Sequence, residues 1–487
     1  MILAWMIIIL MLGGCLSWVA AKWNRQLAKW ISLVAVTIDF IIVCNLWVQP
    51  GVDLSQSGDW LINYQVSWIP RFGIGFHVAL DGLSTVMLLL TFFLGILSVL
   101  CSWNEIKEKT GFYFFNLLWT LAGITGVFLA MDMFLFYFFW EVMLVPMYFL
   151  ISIWGDTNRR YASYKFFIFT QVGGLLMLVA ILALYFIHGE QTGNYSYDYF
   201  DLLNTNLQPT TARWIMMGFL IAFAIKLPVV PFHNWLPDAH SEAPTAGSLI
   251  LAGLLLKTGA YAIMRFILPL FPSASIEISW WAMLFGVIGI LYGAFLAFAQ
   301  TDLKRLIAYT SVSHMGFVIF GIFAFREMAM QGVVVQMVTH GISTGALFVL
   351  AGMLKERLHT RDMDKMGGLW TPMSKMGGVA VLFTMASLGL PMLGNFIAEF
   401  LILLGAFAVN ATLTILATLG LVFSALYSLR MLQKVFLGQP TTTELKDFNG
   451  REMLIMAALS VSIVLVGLYP QPVMDTVKAV VQQLVIK

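Results

Sequence analysis

Six residues of proton-carrying types stand inside stretches that are otherwise apolar: Glu141, Lys226, Lys257, His314, His340 and Glu399. A carboxylate or ammonium at the centre of a bilayer costs about 2.5–3.5 kcal/mol even on the mildest scale, so such residues face a protein interior and mark ion pathways. Glu141 is flanked by PheLeuPheTyrPhePheTrp and ValMetLeuValProMetTyr, with Pro146 placed to kink its helix. Lys226 ends an apolar run, and Pro228 and Pro231 follow it. A proline leaves the carbonyl four residues back without its donor, and broken helices are tolerated in membranes where they line a wet cavity. Lys257 stands about twelve residues into its run, roughly 18 Å along a helix, which is mid-depth in a ~30 Å core. His314 and His340 are of the type that exchanges a proton near neutral pH. Glu399 follows a second break at Pro391 and Gly394. Asp39, in the second run, has no ionisable residue near it in the sequence and reads as inert.

These types in this setting support proton transfer. Burial favours the neutral form of lysine and glutamate alike, and an opposite charge nearby favours the charged form. A buried Glu–Lys pair is therefore a switch: the lysine holds its proton while the carboxylate is close and releases it when the pair opens. Neighbouring lysine and histidine can take that proton, so the groups titrate as a coupled chain.

The elements that must hold these residues are membrane helices. The chain is 60% hydrophobic and 11% charged, against about 25% charged in soluble domains. Apolar runs of membrane-spanning length lie near 2–21, 29–48, 79–102, 112–130, 132–154, 164–187, 213–232, 245–268, 279–300, 305–325, 331–354, 376–408, 411–436 and 453–469. The predicted architecture is all-α, a polytopic membrane protein of about fourteen transmembrane helices, with a short interfacial helix over 472–487. In the first run the positive residues Lys22, Arg25 and Lys29 follow the apolar stretch, the reverse of a cleaved signal peptide. Roughly three-quarters of the lysines and arginines fall in loops after odd-numbered crossings, while the other loops and the tail hold few, among them Arg71, Arg213, Arg326, Lys478 and Lys487. The positive-inside rule then puts the odd loops in the cytoplasm and both termini outside.

Other chemistries find no framework. There is no G-x-G-x-x-G and no Walker loop. Cys15, Cys44 and Cys101 form no C-x-x-C, so neither zinc nor an iron–sulfur cluster has a thiolate set. A net charge of +2 without a basic stripe argues against nucleic acid. A weak internal duplication is visible: Lys226 precedes one proline break and Glu399 follows another, with Lys257 one helix after the first and His340 one helix before the second.

Several segments resemble the antiporter-like membrane subunits of bacterial respiratory complex I, the proton-pumping NADH:quinone oxidoreductase, and among them the M type. They are TrpIleProArgPheGlyIle at 68–74, LeuAspGlyLeuSer at 80–84, PhePheTrpGluValMetLeuValProMetTyrPheLeu at 138–150, LysLeuProValValProPheHisAsnTrpLeuProAspAlaHisSerGluAlaProThrAlaGly at 226–247, AlaGlnThrAspLeuLysArgLeuIleAlaTyrThrSerValSerHisMetGly at 299–316 and TyrProGlnProValMetAsp at 469–475. One departure is ProMetLeuGlyAsnPhe at 391–396, where the family has a smaller, more polar break. The resemblance implies two inverted five-helix repeats containing broken helices, at 111–270 and 279–437, between N-terminal helices at 1–110 and a last helix with its tail at 453–487. It implies that Glu141 and Lys226 pair in the first half-channel, that Lys257 leads to the centre, that His314 and His340 continue the axis, and that Glu399 ends it. It further implies a translocase subunit of the bacterial inner membrane that binds no cofactor itself. NADH, FMN, iron–sulfur clusters and quinone would belong to other subunits, and neighbouring antiporter-like subunits would be its partners. A subunit of a multisubunit sodium/proton antiporter or of a membrane-bound hydrogenase would share the 226–247 signature; an inert membrane scaffold is the reading from another class.

Overall fold

The computed structural model describes residues 1–48, 60–440 and 445–485. Lys487, counted above among the loop cations, and the end of the tail lie outside the described residues. Helices α1 (Ile2–Ala20) and α2 (Arg25–Trp47) come first, then a hairpin of β1 (Ile62–Ile69) and β2 (Ile74–Leu80), then α3 (Gly82–Glu105). After α4 (Thr110–Leu129), α5 (Met133–Trp154) and α6 (Arg159–Thr192) comes a helix in two pieces, α7 (Pro209–Lys226) and α8 (Trp235–Glu242), and then α9 (Thr245–Leu270). The same series returns as α10 (Pro272–Ala299), α11 (Leu303–Ile322), α12 (Glu327–Leu358), the two pieces α13 (Ser374–Ser387) and α14 (Gly394–Phe407), and α15 (Ala411–Phe436). Helices α16 (Gly450–Leu468) and α17 (Gln471–Leu484) follow.

Among the described residues, 12 helices are long and apolar enough to cross a membrane whole. The two remaining expected spans, 213–232 and 376–408, are the ones that break. Twelve whole helices plus two broken ones make the expected fourteen crossings. At the first break Pro228 and Pro231 lack the N–H that would continue the ladder. The Trp235 indole donates to the freed Ile225 carbonyl at 2.8 Å, so the open end stays satisfied. At the second break Gly389 and Met392 both have left-handed backbones, with φ of 79° and 78°. Met392 is the non-glycine residue of the two, and a non-glycine residue in that region is strained.

The helices sort by burial. The membrane-crossing stretches of α9 and α12 are buried all round, whereas α1, α2, α6, α15 and α16 leave much of their surface uncovered. A helix that is apolar on every side belongs in a core, and one with a single packed face belongs against lipid. Gly341 of α12 and Gly253 of α9 bring these two backbones together: a Cβ on Gly341 would stand 3.1 Å from the Gly253 carbonyl. Lys257 and His340 ride on this central pair.

Two small structures recur in the halves. Asp132 caps α5 by accepting from the N–H groups of Phe134 and Leu135, both at 2.9 Å, and Asp302 caps α11 through Arg305 N–H at 3.0 Å. Each capping residue also forms an antiparallel bridge with a later aspartate, Asp132 with Asp198 and Asp302 with Asp362. Asp132 follows the fourth crossing and Asp302 the ninth, so the matching bridges lie on opposite faces of the bundle.

The all-α architecture carries one small sheet that the hydropathy reading does not show. Residues 62–80 form a two-stranded antiparallel hairpin, with Ile62 opposite Leu80 and Val66 opposite Phe76, turning through Pro70–Phe72 and Gly73. Ile62, Tyr64, Val66 and Trp68 alternate with Asn63, Gln65 and Ser67, which is the period of a strand. The expected third span accordingly starts at Gly82 rather than residue 79, because residues 79 and 80 are the end of β2. Helix α5 runs on through Pro146. The tail is helical over Gln471–Leu484 and buries Val477, Val480, Val481 and Leu484.

Candidate functional site

Glu141 lies midway along α5, and its carboxyl sits over Gly174 of α6, where an added Cβ would stand 2.5 Å from Oε1. Lys226 is the last residue of α7 and is wholly buried. Its ammonium lies 5.0 Å from the centre of the Trp140 ring and 5.9 Å from that of Phe166. Aromatic faces stabilise a cation without removing its charge. Neither Lys226 Nζ nor Glu141 Oε1 has a hydrogen-bond partner. Each is nevertheless the charged group that acts on the other. The two attract across a gap rather than in contact.

The centre is continuous. A π-helical stretch at Leu251–Leu255 precedes Lys257 on α9, a distortion that recurs at functional sites. Lys257 Nζ donates to the Ala252 carbonyl and lies 2.6 Å from His340 Nδ1. The rings of His340 and His314 stand edge to face, 5.6 Å between centres. His314 Nδ1 is 2.9 Å from Glu399 Oε1, and Gln336 Nε2 donates to the same oxygen at 3.5 Å. Gly389 in the second break makes room for this carboxyl: a Cβ there would stand 3.1 Å from Glu399 Oε2. The structure thus joins Lys257, His340, His314 and Glu399 into one contact series and holds Glu141 and Lys226 as a separate pair. Helix α9 joins the two groups through Gly259, where an added Cβ would meet Leu227 N of the first break at 3.0 Å. Asp39 stands apart, fully buried in α2 with both carboxylate oxygens unpartnered.

Two members escaped the sequence reading. His240 of α8 is fully buried, both ring nitrogens lack partners, and its ring stacks on Phe348 at 4.5 Å and 7°. The charges that act on it are Lys304 and Lys257. Lys304, buried at the start of α11, donates to the Ala243 carbonyl at 2.8 Å. It lines a cavity of about 440 Å³ with Glu105, Asp156, Lys355 and Glu356, all at the face of the odd loops. His240 sits between Asp238 and Glu242 in a short polar stretch, so hydropathy makes it look like loop. The only signal was its place within the 226–247 motif. On the opposite face, burial pushes the Asp132 carboxyl up to about 6 against the backbone N–H groups that favour its ionised form. Among the described residues no cluster of three or more His, Cys, Asp or Glu is arranged to hold a metal ion.

Residues 130–424 match the family described as NADH:quinone oxidoreductase/Mrp antiporter, TM. NADH-quinone oxidoreductase subunit M of Pseudomonas aeruginosa is 53% identical over 98% of this chain and 96% of its own length. Subunit M of Escherichia coli K12 is 51% identical over the same shares. The chain belongs to the subunit M family.

Solved structures agree in fold. A chain of respiratory complex I from Thermus thermophilus with bound NADH superposes with a TM-score of 0.88 at 29% identity, over 99% of both chains. A chain of the Mrp complex from Dietzia has a TM-score of 0.87 over 98% of this chain and 96% of its own, and at 20% identity that likeness concerns the fold alone. In this member of the subunit M family the second break meets the Glu399 end of the buried line through Gly389.

Proposed function

We propose that this chain is a proton-translocating membrane-arm subunit of an NADH:quinone oxidoreductase, driven by quinone reduction in other subunits. The observation that carries the reading is the buried line itself: Glu141 facing Lys226, then Lys257, His340, His314 and Glu399, with both broken helices against it. Unspent hydrogen-bonding groups flank it on α12 at Thr339, Ser343 and Thr344 and beyond it at Asn395. Buried polar groups take partners, and sites with several such groups take water, which relays protons. Approach of Glu141 favours the charged Lys226; separation sends the proton toward Lys257 and His340. His240 and Lys304 lead from the centre to the cavity at the odd-loop face.

The chain's residues supply only this path. The NADH, FMN, iron–sulfur clusters and quinone of the enzyme belong to its other subunits, and neighbouring antiporter-like subunits flank this one. The matching aspartate bridges on opposite faces support two inverted repeats at 111–270 and 279–437. The lysine and arginine bias supports odd loops in the cytoplasm and both termini on the periplasmic side of the inner membrane. The test is NADH-driven proton uptake by membrane vesicles carrying Lys226→Ala or Glu141→Ala in an assembled complex. Uptake is expected to collapse; normal pumping in both variants overturns the reading.

A further inference from the structure

The odd-loop face holds a second group of cations that the proton line does not use. Lys29 of α2 is 9% exposed and donates to the Trp103 carbonyl, on the last turn of α3, at 2.6 Å. Its ammonium lies 5.8 Å from the centre of the Trp103 ring. An ammonium carries three donors, so this contact leaves capacity unspent. Arg451, at the start of α16, has its Nε buried with no acceptor. The charges that act on Lys29 are Arg451 and Arg25, both positive. Arg25 gives one guanidinium N–H to the Lys107 carbonyl at 2.8 Å. Three cations therefore gather near the end of α3, none of them ion-paired to a carboxylate among the described residues; Glu105 and Glu452 line the same small cavity as Arg451, while Lys29 and Arg25 face no carboxylate within ion-pair reach. Like charges held together repel, and an anion seated among them reverses the sign of that energy.

The surroundings identify the anion. Trp23 and Trp30, 78% and 55% exposed, stand beside these cations, and tryptophan settles at headgroup depth. Deeper in the membrane, α2 exposes Val34 and Ile41 while α16 exposes Leu454 and Val461. Both helices pack on α3. We infer that the last turn of α3, between α2 and α16, binds the phosphate of an anionic phospholipid through Lys29, Arg25 and Arg451, with the acyl chains along the exposed apolar faces. Basic pockets between membrane helices at the cytoplasmic side are suited to such headgroups.

The test uses the complex containing this chain, extracted in mild detergent. Bound lipid is measured by native mass spectrometry for the native chain, for the Lys29→Gln/Arg451→Gln double variant and for Arg451→Lys. The double variant should lose an anionic phospholipid that the native chain and Arg451→Lys retain. Equal anionic lipid in all three overturns the proposal, as does displacement of the lipid by inorganic phosphate alone. So does carbodiimide coupling of Lys29 to a carboxylate of a neighbouring subunit. Should the double variant fail to assemble, a photoactivatable phosphatidylglycerol added to the native complex decides: labelling is expected at the ends of α2, α3 and α16, and labelling only elsewhere refutes the site.

Discussion

Glu141 and Lys226 act on each other across a gap that no direct hydrogen bond closes. A pair locked in contact would hold its proton permanently; a pair at a distance can be tightened or loosened by small movements of the break that carries Lys226. Lys226→Ala removes the proton carrier and leaves a buried carboxyl without its counter-charge, so NADH-driven pumping should fall about tenfold or more, which needs only about 1.4 kcal/mol on the limiting barrier. Glu399 differs from Asp39 in its surroundings. Glu399 bonds His314 at 2.9 Å, whereas Asp39 has no partner on either oxygen. Glu399→Gln should therefore impair proton uptake in vesicles, and Asp39→Asn should leave it at the native rate. His240→Asn gives a further test, because His240 has no bonded role to lose. Pumping should drop while assembly stays intact, and unchanged pumping would remove His240 from the path.

At the scale of the helix, two packing details govern how freely the line can move. Gly174 of α6 gives the Glu141 carboxyl its place, since a Cβ there would stand 2.5 Å from Oε1. Gly174→Ala keeps every titratable group yet displaces one of them, so it should reduce pumping with the complex assembled. Met392 carries a φ of 78° in the second break and is 65% exposed, so its side chain adds little packing. Met392→Gly should relieve about 1 kcal/mol of left-handed strain, read as a higher thermal midpoint for the solubilised complex. Both breaks were legible because proline leaves a local mark at Pro228, Pro231 and Pro391. The hairpin at 62–80 was missed although its alternation is regular, because hydropathy windows of membrane length average a period of two away. His240 was missed for the opposite reason: it lies in a half-helix too polar and short to read as membrane, and only the tertiary fold brings it beside Lys257 and Lys304. The gap between Glu141 and Lys226 was beyond any sequence reading, since spacing along two helices does not fix the distance between them.

Across the whole molecule, the question is what ties the helices around the first break to those around the second. Arg361, in the loop after α12, lies at the centre of the answer. It bonds Asp156 at 3.0 Å and Glu242 at 3.2 Å, residues of the loop after α5 and the end of α8, and Asp302 at 3.1 Å, the cap of α11. It also donates to the Ser241 carbonyl. One side chain thus ties the end of the first broken helix to the first turn of a helix in the other half. The guanidinium is 18% exposed and its acidic partners are 6–23% exposed, so screening by water is partial. Arg361→Ala leaves Glu242 and Asp302 without their shared cation, while Asp156 keeps its ion pair with Lys355. Breaking a fully buried pair costs about 3–5 kcal/mol, and this half-shielded hub should cost about 2–3. Arg361→Lys keeps the charge but cannot reach three carboxylates with a planar fork, so its loss should be intermediate. Thermal unfolding of the solubilised complex should rank native above Lys above Ala, with the gap narrowing as salt is raised. Equal midpoints for all three would mean that the halves are held by apolar packing alone. In that case the ion pairs at the odd-loop face would be free to serve the cavity around Lys304, which shares Asp156 with this hub.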